Sequence, residues 1–322
     1  MPLIKRQHHQ GFELITAETE HASVTMIPEL GARIMSLRDL RGGREWLWRP
    51  EGTLLLWRNQ PGDPFPLGTF VGADECLPTI APCTWQGREL PDHGEAWNQP
   101  WTLDEAALEK GSIKTSLTLP HSPFHFCRTL TLENGVMRLD YTLKNVGATP
   151  EAWLWAWHPL MTLKEGDRLF LPGDAAPLRV ATARKPDAVR GEWWPWPEPK
   201  PGVRLDKLEL DGSGDSYLKA FAGPLQEGWA RLQNPSSDAC LTLRWDAARL
   251  PYLGLWLTRG GYKGWHHIAL EPTNLPADSL ADGVRENSPP PLAPGATVRW
   301  WLELTIGTGG ERGRMGSLKE ER

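Results

Sequence analysis

Short runs in which apolar and polar residues alternate, broken by Gly, Pro, Asn and Asp, recur along most of the chain. Such alternation is the mark of a strand with one wet and one dry face, because successive side chains point to opposite sides of a sheet. Phe12–Ala17, Ala22–Ile27 and Gly31–Arg38 read as three successive strands separated by turn residues. Residues 112–119, 124–132 and 137–143 follow the same rule across turns such as Glu133-Asn134-Gly135, and 241–245, 252–258, 265–270 and 298–306 supply later strands. In Glu151–His158, tryptophans 153, 155 and 157 alternate with smaller or apolar residues, which suits a strand crossing the floor of a cleft, with Pro159 limiting its ladder. The prolines between Glu192 and Gly202 remove amide donors and fix the backbone, so that segment is expected to be a loop. Helical periodicity is scarce, and the expectation is an all-β fold.

Composition narrows this picture. The length of 322 residues leaves the domain count open, while 40% hydrophobic and 23% charged residues suit a globular chain with a sizeable core. A net charge of −5 with no basic run argues against a nucleic-acid partner, since phosphate binding needs clustered Lys and Arg. No apolar stretch reaches the length of a signal peptide or a membrane span, so no membrane association and a cytoplasmic location are expected. Cys76, Cys83, Cys127 and Cys240 are too few and too unevenly spaced for a disulfide framework and include no C-x-x-C pair; they are expected to be reduced and mostly buried. The 18 tryptophans belong mainly to the core, with a few free to stack on the C–H face of a sugar ring.

Four short stretches stand in a telling order: Leu30–Leu37 near the start, Pro91-Asp92-His93-Gly94-Glu95-Ala96-Trp97, Trp157-His158-Pro159, and Ala269-Leu270-Glu271-Pro272-Thr273. Together they resemble the aldose 1-epimerase, or galactose mutarotase-like, family. The resemblance spans roughly residues 12–306 and implies a large antiparallel β-sandwich forming one domain over 1–306, followed by a polar, frayed tail at 307–322. It implies interconversion of the anomers of a monosaccharide, with Glu271 as general base at the anomeric hydroxyl, His158 as general acid at the ring oxygen and His93 holding the ring. The reaction needs one base and one acid and no metal or organic cofactor. Taken alone, Glu271 reads as a strand-end surface residue and His158 as a satisfied structural histidine; the register with the family gives them chemical roles. Trp157 is expected beside the sugar.

Some positions depart from the family pattern. An arginine gripping a sugar hydroxyl is expected upstream of the histidine-glycine motif, whereas Asp74 and Glu75 stand there, as candidate hydroxyl ligands themselves; Arg88 lies nearer the motif, in a turn. The family's sugar-contacting aspartate on a middle strand has Asp215 as its candidate, with Asp211 and Asp167 competing. His266 and His267, being neighbours on a strand, point to opposite faces and argue against a shared metal. Two alternatives stay open at this level. One is a sugar-phosphate epimerase of the hexose-6-phosphate type, for which Arg33, Arg38, Arg88 and Lys219 are the basic candidates; the other is a carbohydrate-binding protein without turnover.

Overall fold

A computed structural model describes residues 1–60, 62–208 and 214–308. Asp211 lies outside the described residues, as does the expected tail beyond residue 308.

Among these residues, two large antiparallel sheets carry the architecture. The first has eleven strands, in the order Leu3–His9, Phe12–Glu18, Ala22–Ile27, Arg33–Asp39, Ala73–Cys76, Ala156–Thr162, His266–Thr273, Tyr252–Arg259, Ser216–Ala222, Leu178–Arg184 and Trp193–Trp194. The second has nine, running from Lys207–Leu208 through Asp167–Phe170, Gly228–Gln233, Ala239–Trp245, Thr297–Thr308, Val136–Asn145, Phe124–Glu133 and Ile113–Thr118 to Thr102–Leu103. Alternation sets the packing: Phe124, Phe126, Leu130 and Leu132 are buried at every second position or nearly so, and the strand hydrogen-bonded to theirs buries Met137, Leu139, Tyr141 and Leu143. Between the sheets these residues meet Trp155, Trp300 and the inward side chains of the larger sheet in one continuous core. Tyr141 and Trp300 stack there with centroids 5.5 Å apart.

The larger sheet is also covered on its second face. A separate apolar cluster of Trp48, Phe65, Phe70, Trp97, Leu160 and Ala269 lies there, and another gathers Cys76, Ile80, Leu154, Leu275 and Leu280 under the helix Leu280–Asn287. That helix starts at Ser279, whose hydroxyl accepts the Asp282 N–H at 3.1 Å. The second face of the larger sheet, between these clusters, is where the ionisable residues gather.

Three boundaries differ from the sequence reading. The Trp-rich stretch approaches as extended chain and becomes a strand only at Ala156–Thr162, running through Pro159. The ladder to His266–Thr273 tolerates this because its register pairs resume at Leu160–Ala269 after Ala156–Thr273, so the missing amide falls in a gap. Trp193 and Trp194 form a short edge strand against Leu178 and Arg179 before the prolines end the pairing. The last strand reaches Thr308, two residues into the segment expected to fray.

Candidate functional site

One row of the larger sheet collects the ionisable residues. His158 faces Asp74 in the pairing of Ala73–Cys76 with Ala156–Thr162. The register that joins Ala156 to Thr273 and Leu160 to Ala269 sets His158 level with Glu271, which is itself paired with Gly254. Residues level in an antiparallel sheet share a face, so these side chains converge from strands far apart in sequence. His158 Nε2 lies 3.9 Å from Glu271 Oε1. Both side chains are almost fully buried, and Glu271 Oε1 and His158 Nδ1 have no hydrogen-bond partner among the described residues. A carboxylate oxygen and an imidazole so placed can accept hydrogen bonds from a polar ligand and donate them to it.

His93 arrives from a loop. Its ring centroid lies 4.9 Å from that of His158 and it stacks on Phe65 at 3.8 Å. Asp92 organises this corner: Oδ1 lies 2.8 Å from His93 Nδ1 while Oδ2 accepts the Phe65 N–H at 3.0 Å. Burial opposes the charge, yet these bonds hold the Asp92 carboxyl below its usual range. The glycine of the motif has a steric cause. Gly94 takes φ +72°, and a Cβ there would lie 2.2 Å from the Leu77 carbonyl oxygen. The Glu95 N–H donates to that same carbonyl at 2.6 Å, and the His93 N–H to the Ile80 carbonyl at 2.6 Å.

Cations surround the cluster, each already matched. Lys219 Nζ makes a short contact with Glu271 Oε2. Arg33 forks onto Asp74 with contacts of 2.7 Å and also donates to the Val71 carbonyl at 2.9 Å. Desolvation lowers Arg33 and pushes Asp74 up to about 7. It depresses His158 well below the usual imidazole range, aided by the fields of His93 and Lys219, so His158 is neutral at neutral pH before a ligand arrives. Burial raises Glu271 while the ammonium of Lys219 pulls it down, and Lys219 is held above its ordinary range by Glu271 although burial works against it.

The other expected site residues fall elsewhere. Trp157 is fully buried and faces the inter-sheet core, because alternation sends it to the side opposite His158. Glu75 pairs with Trp157 across the sheet and shares that interior face. It takes Arg128 at 2.7 Å, the Tyr141 hydroxyl at 3.0 Å and the Trp155 indole N–H at 2.9 Å, so it is a core ion pair and no sugar ligand. Asp74 does face the site row, but its carboxylate is spent on Arg33. Arg88 is held 2.7 Å from Glu151, and Asp215 sits at the surface on Arg184 and Lys185; no hydrogen bond or ion pair joins either to the cluster. Asp167 is a buried partner of Arg44 and Asn234. Read from sequence, Arg33 and Lys219 are only basic candidates for a phosphorylated sugar, and Asp92 and Phe65 have no site role. For Lys219 a signal existed, since a lysine inside the buried run Leu218-Lys219-Ala220-Phe221 is seldom tolerated without a carboxylate.

Half-buried aromatics rim the row. Trp256 is level with Lys219 and Ala269, one step along from Glu271, and meets Tyr262 at 5.6 Å. An indole there offers a flat apolar face beside the ionisable pair.

Comparison with solved structures identifies the architecture. A galactose mutarotase-like protein from Clostridium acetobutylicum superposes with a TM-score of 0.71 at 13% identity, covering 95% of this chain and 99% of that one. The galactose mutarotase related enzyme from Lactobacillus acidophilus gives 0.65 at 18% identity, covering 92% and 98%. A GalM/aldose epimerase homologue from C. elegans gives 0.54 at 14% identity, covering 90% and 97%. No family model matches the sequence, and no curated protein matches it either. At these identities the likeness establishes the fold: the chain has the galactose mutarotase-like β-sandwich architecture. This scaffold hosts more than one chemistry, so activity is an inference from the site.

Proposed function

We propose that the protein interconverts the anomers of a neutral monosaccharide by acid and base catalysis. The observation that carries this is the open, buried pair of His158 and Glu271, 3.9 Å apart on one sheet face with unpartnered polar atoms. Glu271 takes the proton of the C1 hydroxyl as the bond from C1 to the ring oxygen breaks. The electron pair of that bond goes to the ring oxygen, which receives a proton from His158. Rotation about the bond between C1 and C2 turns the aldehyde, and the same two groups reverse their roles to close the ring on the other face. The proton that His158 gives is one it takes up from solvent as the sugar binds, forming an imidazolium that burial alone disfavours and that the Glu271 carboxylate, 3.9 Å away, stabilises. His93, fixed by Asp92 and Phe65, holds a sugar hydroxyl, and Trp256 provides the stacking face.

The charge balance favours a neutral sugar over a phosphorylated one. Arg33 and Lys219 are matched by Asp74 and Glu271, with Asp278 and Asp92 adding negative charge nearby, while Arg88 is engaged by Glu151 and Arg38 is exposed on its strand. A phosphate would need an unspent cation. The single domain over residues 1–306 and a cytoplasmic location fit this reading; no disulfide joins the four cysteines, of which Cys76 is buried and the other three are half-buried, and no helix among the described residues is long and apolar enough to cross a membrane.

The test follows the optical rotation of freshly dissolved α-D-glucose and α-D-galactose with and without protein, and repeats it with Glu271→Gln. Acceleration of exchange that falls by about 10²–10⁴-fold in the variant, with sugar binding retained by calorimetry, is the expected result. Binding with no acceleration by the unmodified protein would replace the enzyme with a carbohydrate-binding protein on the same fold. Faster exchange on glucose 6-phosphate than on glucose would replace the neutral substrate with a phosphorylated one.

A further inference from the structure

A lysine in the middle of a buried strand needs a reason, because a desolvated ammonium is costly unless a carboxylate meets it. Lys219 is only 6% exposed. Its Nζ contacts Glu271 Oε2 and lies 3.7 Å from Asp278 Oδ1. Lys219 and Glu271 stand on strands separated by Tyr252–Arg259, and the contact crosses that strand at Gly254, the residue paired with Glu271. Asp278 is itself fixed: its carbonyl accepts the N–H groups of Ile80 at 2.9 Å and Ala81 at 2.6 Å, and the Ile80 carbonyl accepts the N–H of His93. The lysine thus links the carboxylate on the sheet to the loop that sets the nearby histidine.

We propose that Lys219 is a positioning residue of the acid–base site: clamped between Glu271 and Asp278, its ammonium keeps Glu271 ionised and leaves Oε1 turned toward His158. The proposal deepens the anomer-exchange reading and rests on it. The groups facing Glu271 are His158 across the ladder, Asp74 and Cys76 on the strand beyond, His93 and Asp278 from the loops, and Lys219, with Arg33 paired to Asp74 behind them. Among these, Lys219 is the cation in direct contact with Glu271. A carboxylate this deeply buried drifts toward its neutral form, and the adjacent ammonium opposes that drift. The same charge acts against protonation of His158. Removing it therefore raises the titration of both groups, whichever of them governs a given limb of the activity profile.

The test compares unmodified protein, Lys219→Met and Lys219→Arg by polarimetry on α-D-glucose and α-D-galactose across the acidic and neutral range. Lys219→Met is expected to lose about 100-fold in kcat at the original optimum. Its kcat/KM profile should move to higher pH by about 1–3 units, with Lys219→Arg returning it toward the original position. A lysine that merely supports the fold would lower activity and stability without displacing the profile, and an undisplaced profile overturns the proposal. The second measurement needs no turnover. Carbon NMR of labelled glutamate carboxyls, with Glu271 assigned by its loss in Glu271→Gln, should show Glu271 titrating at higher pH in Lys219→Met. An unchanged titration overturns the proposal even if exchange is observed, whereas absence of exchange by the unmodified protein overturns the functional reading and leaves the NMR result to decide the role of Lys219.

Discussion

Gly254 lies directly against Glu271: a Cβ on the glycine would stand 3.1 Å from Glu271 Oε2 and 3.2 Å from Glu271 Cβ. The missing side chain is what lets Lys219 reach the carboxylate across an intervening strand. Gly254→Val should therefore disrupt the ion pair and overpack the row, costing about 1–3 kcal/mol of stability. Anomer exchange should fall far more than stability does, by about 100-fold, since a displacement of the carboxylate near 1 Å is enough. Urea unfolding and polarimetry measure the two effects separately. A valine variant that keeps full exchange would show that the gap at Gly254 has no part in aligning Glu271.

On the opposite face of the Ala73–Cys76 strand, Glu75 and Arg128 form an ion pair with almost no exposure, completed by Tyr141 and Trp155. Truncating one partner strands a charge in the core. Glu75→Leu should lose about 3–5 kcal/mol of unfolding free energy, and the double variant Glu75→Leu with Arg128→Met should recover a large part of it. Equal losses in the single and double variants, read from urea midpoints at matched slopes, would contradict this account.

Much of this architecture was legible in the sequence because alternation reports which face a residue occupies. It revealed the strands, and it also held the information that Trp157 and His158 must point in opposite directions. The expectation that Trp157 flanks the ligand ran against that parity, and the structure resolves the conflict by sending the tryptophan into the inter-sheet core. Pairing partners were not legible. Nothing local says that Arg33 meets Asp74 or that Lys219 meets Glu271, because sheet register over such sequence separations is set by the whole fold. Asp74 and Glu75 looked alike as adjacent carboxylates because their segment did not read as a strand; once it is one, parity turns Asp74 to the site row and Glu75 into the sandwich.

Asp92 supports His93 through one oxygen and the Phe65 amide through the other, so it positions the ring and its stacking partner together. Asp92→Ala should loosen His93 without touching the His158–Glu271 pair. The expected signature is a KM raised about 10-fold with a smaller change in kcat, the pattern of lost ground-state and transition-state binding in common. Steady-state kinetics on a single α-anomer separate the two parameters. A kcat collapse with unchanged KM would instead make Asp92 a participant in proton transfer.

His267 supplies a pH test that needs no substrate. It is fully buried among Trp48, Phe70 and Trp265, accepts the Trp256 indole N–H at 3.2 Å, and desolvation drives its pKa down to about 3. The unfolded chain binds a proton at this residue near the ordinary value of about 6.5, and the folded chain does not. Stability from this group is therefore complete above that value and declines as pH falls, by about 1.4 kcal/mol per unit, until the folded-state pKa is reached. His158 titrates in the same sense, whereas Asp74, raised to about 7, opposes both, so the informative quantity is the difference in slope between proteins. His267→Gln should be less stable at pH 7 yet lose less with acidification, its unfolding free energy following pH with a slope shallower by about one proton. Parallel slopes for the two proteins in urea titrations between neutral and mildly acidic pH would mean that His267 takes up its proton in the folded state and that its burial is not what the structure describes.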